Sequence, residues 1–284
     1  MDAKTNDAEP LQAIRHSMYI RAERWWGIAL TCVVLGVAAS TLLTKPLLPS
    51  GSVLESFVLV ISVAAPAFAA LARYRSGRYA ARGDLCRRAF LYRDTLGEEL
   101  NIEEQRIVAL WPANVPLNQV TTEQPYFSTT TGRGAGRLAE AVGESAFYTA
   151  ELAKVMATGG FLLFGASALL LFAAISAMTT LSLDAATLGQ LKTAIGLVAI
   201  VMLTLITSEV LMTALAYSAL SSESREIARS ASQFSAMKEQ SPVTAVRLSE
   251  AYSIALAANL PIPNLIYRWN HDRIDRAYRN GLVK

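Results

Sequence analysis

The sequence predicts an all-α membrane protein, with four transmembrane helices in two hairpins and helical cytoplasmic extensions. Two observations predict it. Apolar runs at about residues 25–44, 53–74, 155–178 and 194–220 each supply the roughly 20 residues that a helix needs to cross a bilayer. Charge is distributed very unevenly between those runs. The connections after the first and third runs are short and carry one cation each, Lys45 and Lys192. The opposite side carries Arg15, Arg21 and Arg24, then Arg75, Arg78, Arg82, Arg87, Arg88 and Arg93, then Arg225 and Arg229. By the positive-inside rule that side, with both termini, is cytoplasmic. Spans that are not strands of a closed barrel must be helices, because hydrocarbon offers no partner to a free backbone group.

The division that follows has five parts. Residues 1–24 form a cytoplasmic N-terminal helix, 25–74 the first transmembrane hairpin, and 75–154 a cytoplasmic helical segment with a loop. Residues 155–220 form the second hairpin and 221–284 a cytoplasmic helical tail. A hydrophobic content of 52% suits a chain with about a third of its residues in lipid. The net charge of +3 follows from the positive-inside bias and implies no nucleic-acid partner. The polar stretch before the first run is long for a signal peptide, so the first run is expected to be a retained helix. Two cysteines, Cys32 and Cys86, make no disulfide framework.

Taken in order, Leu11, Ile14, Met18, Ala22 and Trp25 recur at three- and four-residue spacing, so the approach to the first span is helical, with Pro10 at its start. Trp25 and Trp26 are interfacial anchors. Leu85, Ala89, Tyr92, Leu96 and Leu100 continue the second span as a helix into the cytoplasm, with only Gly77 and Gly83 to interrupt it. From Leu110, Trp111, Pro112, Pro116 and Pro125 break the periodicity and make a loop that runs to Gly136. A helix starting near Leu138 then leads into the third span. Cys32, Gly36 and Ser40 in the first span, and Gly159, Gly160 and Gly165 in the third, allow close helix contact. After the fourth span a helix continues over 221–236, and Ser241 with Pro242 starts another that ends at Asn259 and Pro261. The stretch 262–269 alternates turn residues with large apolar ones and is expected to dock on the cytoplasmic helices. A basic helix from His271 to Arg279 closes the chain.

Few residues carry chemistry. Gly132-Arg133-Gly134-Ala135-Gly136-Arg137 opens a helix whose N-terminal N–H groups can hold phosphate. It lacks the lysine and hydroxyl of a phosphate-binding loop and follows no strand, so a solvated turn is the competing reading. Glu209, within the fourth run beside Thr207 and Ser208, is a carboxyl whose cost in a bilayer makes it a pore or gating candidate. A protonated carboxyl bonded to a neighbouring helix is the alternative. His16 and His271 have no metal-spaced companions, and no nucleophile, base and orienter come together at a recognisable spacing. Neither an enzyme, a cofactor nor a metal site is expected.

Three short stretches carry a family resemblance: His16-Ser17-Met18-Tyr19 with Ala22, Glu144-Ser145-Ala146-Phe147-Tyr148-Thr149, and Leu260-Pro261-Ile262-Pro263-Asn264 with Tyr267. In these and in its layout the chain resembles the SMODS-associated four-transmembrane effectors of bacterial cyclic-oligonucleotide antiphage systems. The resemblance implies an inner-membrane effector, assembled as a homo-oligomer. It would sense a cyclic oligonucleotide made by a partner nucleotidyltransferase, then open or assemble to permeabilise the bilayer. An anionic ligand would need cytoplasmic cations and an aromatic face, for which Arg133, Arg137, Arg87, Arg88 and Tyr126 are the candidates by residue chemistry and side of the membrane. A constitutive channel or small-solute transporter using Glu209, and a membrane-anchored scaffold, are the other classes that fit this inventory.

Overall fold

Six helices account for nearly all of the computed structural model, which describes residues 8–43, 53–97, 127–128, 131–180, 210–259 and 261–282; no strand occurs among them. They are α1 (Ala8–Leu43), α2 (Val53–Leu96), α3 (Ala135–Thr180), α4 (Met212–Ser235), α5 (Pro242–Ala257) and α6 (Asn264–Leu282). The first three are long and apolar enough to cross a membrane. Most of the fourth apolar run lies outside the described residues, as do Lys45, Lys192 and the proline-rich loop before Phe127.

Each of the first three helices joins a polar segment to an apolar one without a break, α1 and α3 running from polar to apolar and α2 from apolar to polar. Helix α2 runs 44 residues through Gly77 and Gly83 and ends at Gly97, where φ is +75°. Glycine takes that left-handed turn without the strain a side chain would add. Pro66 inside α2 removes one backbone donor, which a membrane-spanning helix can accommodate.

Helix α3 begins at Ala135, three residues before the expected start, because Gly134 donates its amide to the Thr95 carbonyl at 2.8 Å and its own carbonyl accepts from Leu138. Helix α5 starts as expected, with Ser241 at the N-cap and Pro242 in the first turn. The Ser241 backbone carbonyl accepts from Thr244 and Ala245, and its hydroxyl makes no capping bond.

The final helix differs from the expectation. It begins at Asn264 and incorporates 264–269. Pro263 stands just ahead of the first turn, where a missing donor costs nothing, and its carbonyl accepts from Ile266 and Tyr267. The prolines therefore mark a helix start where alternating turns were expected.

By its internal packing the chain forms two compact units. One comprises Met1–Arg24, Arg75–Val155 and Tyr217–Lys284. Its core buries large side chains, among them Leu11, Phe90, Leu91, Leu138, Val142 and Phe234, from α1 to α4, and Tyr252 from α5. Alanines at 139, 146, 150 and 153 give α3 a flat buried face, and Ala141 is buried on its other side. Ser76 on α2 donates to the Ala22 carbonyl of α1 at 2.7 Å, and Ser221 on α4 donates to the Ala150 carbonyl of α3 at 2.8 Å.

The other unit, Trp25–Tyr74 with Met156–Ala216, is built the other way round. Small residues are buried, including Ala29, Ala39, Ala65, Ala69, Ala72, Ala157 and Ala214. Phe57, Val63, Phe68, Leu162, Leu169 and Phe172 face outward. A Cβ at Gly36 would meet Ala65 and Pro66 at 3.3 Å, and one at Gly160 would meet the Ala214 Cβ at 2.7 Å. Those two glycines make the close contacts; Gly159 and Gly165 face open space.

Candidate functional site

The expected ligand residues occupy two groups on α2 and at the start of α3. The first is buried. Arg87 is 8% exposed, and its Nε and Nη2 both lie 2.9 Å from Asp84 Oδ1. Nη2 also donates to Ser253 Oγ at 2.8 Å, and the guanidinium stands 4.6 Å from the centre of the Tyr252 ring. Tyr252 donates to the Ser145 carbonyl at 3.0 Å. Its single proton is thereby committed, so in the 2.6 Å contact Thr149 is the donor and the Tyr252 oxygen the acceptor. The chain Asp84–Arg87–Tyr252–Thr149 thus ties α2, α5 and α3 together. Arg88 Nε approaches Asp84 Oδ2 at 3.5 Å, an ion-pair distance without a hydrogen bond.

The second group is partly exposed. Arg137 donates Nη2 to Asp94 Oδ2 at 2.9 Å and Nη1 to the Thr131 carbonyl at 3.1 Å. Arg133 is exposed, with its guanidinium beside Gly97. Around them the first-turn N–H groups of α3 have no acceptor within the helix.

Magnitudes separate the groups. A partly exposed pair such as Arg137–Asp94 contributes about 0–1 kcal/mol, so an incoming anion can compete for the arginine. Freeing Arg87 would break a buried pair, which costs about 3–5 kcal/mol, and would leave Asp84 only Arg88, 3.5 Å away and without a hydrogen bond. The geometry therefore makes the Arg133–Arg137 end the accessible cationic surface and gives Arg87 a structural tie. Tyr126 and Glu209 lie outside the described residues.

An aromatic cluster that residue spacing did not reveal joins α3 to α6. The Phe147 ring lies 5.3 Å from Tyr278, Tyr148 lies 6.0 Å from Tyr278 and 6.2 Å from His271, and Tyr267 lies 5.1 Å from His271. Tyr148 donates to Asp275 Oδ1 at 2.9 Å, and Arg279 pairs with Oδ2 at 3.0 Å. The Tyr148 hydrogen bond holds the Asp275 carboxyl below its ordinary range, with a smaller contribution from Arg279. Burial pushes the Tyr278 phenol up to about 12. His271 Nδ1 is buried and makes no hydrogen bond.

Beside this cluster, Glu144 Oε2 accepts from both the amide and the hydroxyl of Ser128 at 2.9 Å. The Phe127 ring stacks on Phe90 at 6.2 Å. These contacts tie Phe127 to α2 and Ser128 to α3. Phe147, Tyr148 and Tyr267 belong to the stretches that carry the family resemblance, which was the available sequence signal. Tyr278, Asp275 and Ser128 gave none, because their role exists only once α6 packs on α3.

Comparison of the chain with family models, curated proteins and solved structures returns no match.

Proposed function

We propose that the protein is a ligand-gated membrane effector of bacterial antiphage defence, in which a cyclic oligonucleotide bound on the cytoplasmic side drives the spans to open or assemble and permeabilise the inner membrane. The reading includes four spans in two hairpins, both termini in the cytoplasm, a homo-oligomer, and a partner nucleotidyltransferase that makes the ligand. The observation that carries it is helix continuity. Helices α1, α2 and α3, of 36, 44 and 46 residues, each run unbroken from segments rich in cations and ties into apolar segments. A displacement at the cytoplasmic end of such a helix is passed along its axis. A scaffold that used its spans only as anchors would not require that continuity.

Arg133 and Arg137, at the start of α3, are the anion contacts in this reading, with Tyr126 offering an aromatic face. Ligand would exchange with Asp94 for Arg137. Arg87 keeps the surrounding helices in register, Arg88 stands beside Asp84 on the same helix, and Glu209 acts in the opened path. Such a ligand shifts the population only by binding the open or assembled state better than the resting one.

The test is dye release from liposomes containing the purified protein, with and without a panel of cyclic oligonucleotides. Release with one ligand, and its loss in an Arg133→Glu/Arg137→Glu variant that still inserts, is the expected result. Release without any ligand would replace this reading with a constitutive channel, and no release under any condition would leave a scaffold.

A further inference from the structure

We infer that the first turns of α6 form an interfacial membrane anchor that inserts Leu265 and Trp269 into the headgroup boundary of an anionic bilayer. The inference rests on the membrane reading of α1 and on the orientation proposed above, and not on the identity of any ligand.

Two contacts place the start of α6. Glu23 Oε2 accepts from the Asn264 amide at 3.3 Å, and the Tyr217 hydroxyl donates to the Pro261 carbonyl at 3.1 Å. Glu23 is two residues before Trp25, where the first apolar run begins, and Tyr217 is three residues before the end of the last apolar run at Leu220. The segment leading into α6 is therefore tied to residues that adjoin two apolar runs in the sequence, which in the membrane reading is where headgroups begin. A carboxylate at a helix N-terminus also complements the helix dipole, which fixes where α6 starts.

The exposed side of α6 has an interfacial pattern. Leu265 and Trp269 are 50% and 72% exposed. They are four residues apart, so they sit about 40° apart around the helix and share one face. Arg268, Arg273 and Arg276 extend that exposed face, with Asp272 as its one acid among the described residues. The opposite side is committed to the protein: Ile274 is buried, and Tyr278 and His271 join the aromatic cluster. A large amphipathic ring and an adjacent leucine, followed by cations, match a surface that is apolar just below and anionic just above. A soluble partner would not explain why the apolar pair is confined to the first two turns of α6, the end that Glu23 and Tyr217 hold.

The experiment uses the full chain in vesicles of phosphatidylethanolamine and phosphatidylglycerol whose acyl chains carry bromine near the headgroup. The emission of Trp269 is taken as the difference between the parent protein and Trp269→Phe, and that of Trp25 as the difference from Trp25→Phe. The expected result is about twofold quenching of Trp269 by brominated lipid, as for a ring in the interface. That quenching should fall in the Arg268→Glu/Arg273→Glu variant and in vesicles of zwitterionic lipid alone. Quenching of Trp269 by aqueous acrylamide and not by lipid would overturn the inference. Shielding from both would also overturn it, since it would mean that another protein surface covers this face. Failure at Trp269 with Trp25 quenched removes the anchor alone, whereas failure at both removes the membrane reading of α1 with it.

Discussion

The two units of this chain pack by opposite rules. In the unit that holds α5 and α6, large side chains such as Leu138 and Phe90 are inside, together with polar groups of which some, such as Arg87, are tied and others, such as the Ser224 and Ser249 hydroxyls, make no hydrogen bond. In the unit of apolar runs, the buried residues are mostly alanines, with Gly36 among them, and most of the leucine, valine and phenylalanine side chains are outside, Val58 excepted. Water drives the first arrangement, because removing large apolar surfaces from it is favourable. Lipid tails are as apolar as leucine, so in a bilayer that drive between helices is absent, and contact comes from small residues that bring backbones close. The contrast supports reading exposed apolar residues on α1–α3 as lipid-facing.

The largest effect expected from breaking this contrast is in the polar tie. Asp84→Ala would leave Arg87 charged and buried, at a cost of about 3–5 kcal/mol, read as a fall in thermal unfolding temperature in detergent. Hydrogen exchange should accelerate in α5 more than in the apolar part of α1. A change under about 1 kcal/mol would mean that Arg87 finds water, and would end its assignment as a structural tie.

Next is a matched pair of substitutions. Leu138, 0% exposed, should lose about 2–5 kcal/mol as Leu138→Ala. Leu169, 70% exposed, should change by no more than about 0.5 kcal/mol as Leu169→Ala. Equal losses would contradict the inverted packing. Gly160→Ala, by contrast, adds a methyl that meets the Ala214 Cβ at 2.7 Å and should cost about 1–3 kcal/mol. The same change at Gly159, which faces open space, should be tolerated.

The smallest effect concerns Asp275. Its carboxyl is held below the ordinary value mainly by the Tyr148 hydrogen bond. The folded state thus binds its proton less readily than the unfolded chain does. The associated stability is present above the unfolded value of about 3.8 and is lost as pH falls through the lowered folded value. Tyr148→Phe should move the carboxyl back toward its ordinary range, measurable by NMR titration. No movement would show that Arg279 and His271, and not Tyr148, hold the charge.

The apolar helices were legible in the sequence, and so was their continuity, since the stripes before the first span and after the second join them without a strong breaker. The candidate site was legible only in part. Arg133 and Arg137 could be named from a glycine-rich helix start, but that Asp94 holds Arg137 could not, because 43 positions separate them. Arg87 read as one of several cytoplasmic-side cations and as a ligand candidate. Its burial depends on Ser253 and Tyr252, 166 and 165 residues away, and spacing along one helix carries no information about them.

By itself the sequence determined which helices suit a bilayer, because composition over about 20 residues decides the solvent a helix prefers. It also determined where α5 starts, since capping and proline preferences act within a few residues. Only the tertiary structure decided which glycines make contacts, which arginines are exposed, and that Glu23 meets the start of α6. Those outcomes depend on which surfaces meet after folding, and residues far apart in the chain supply the opposing surface.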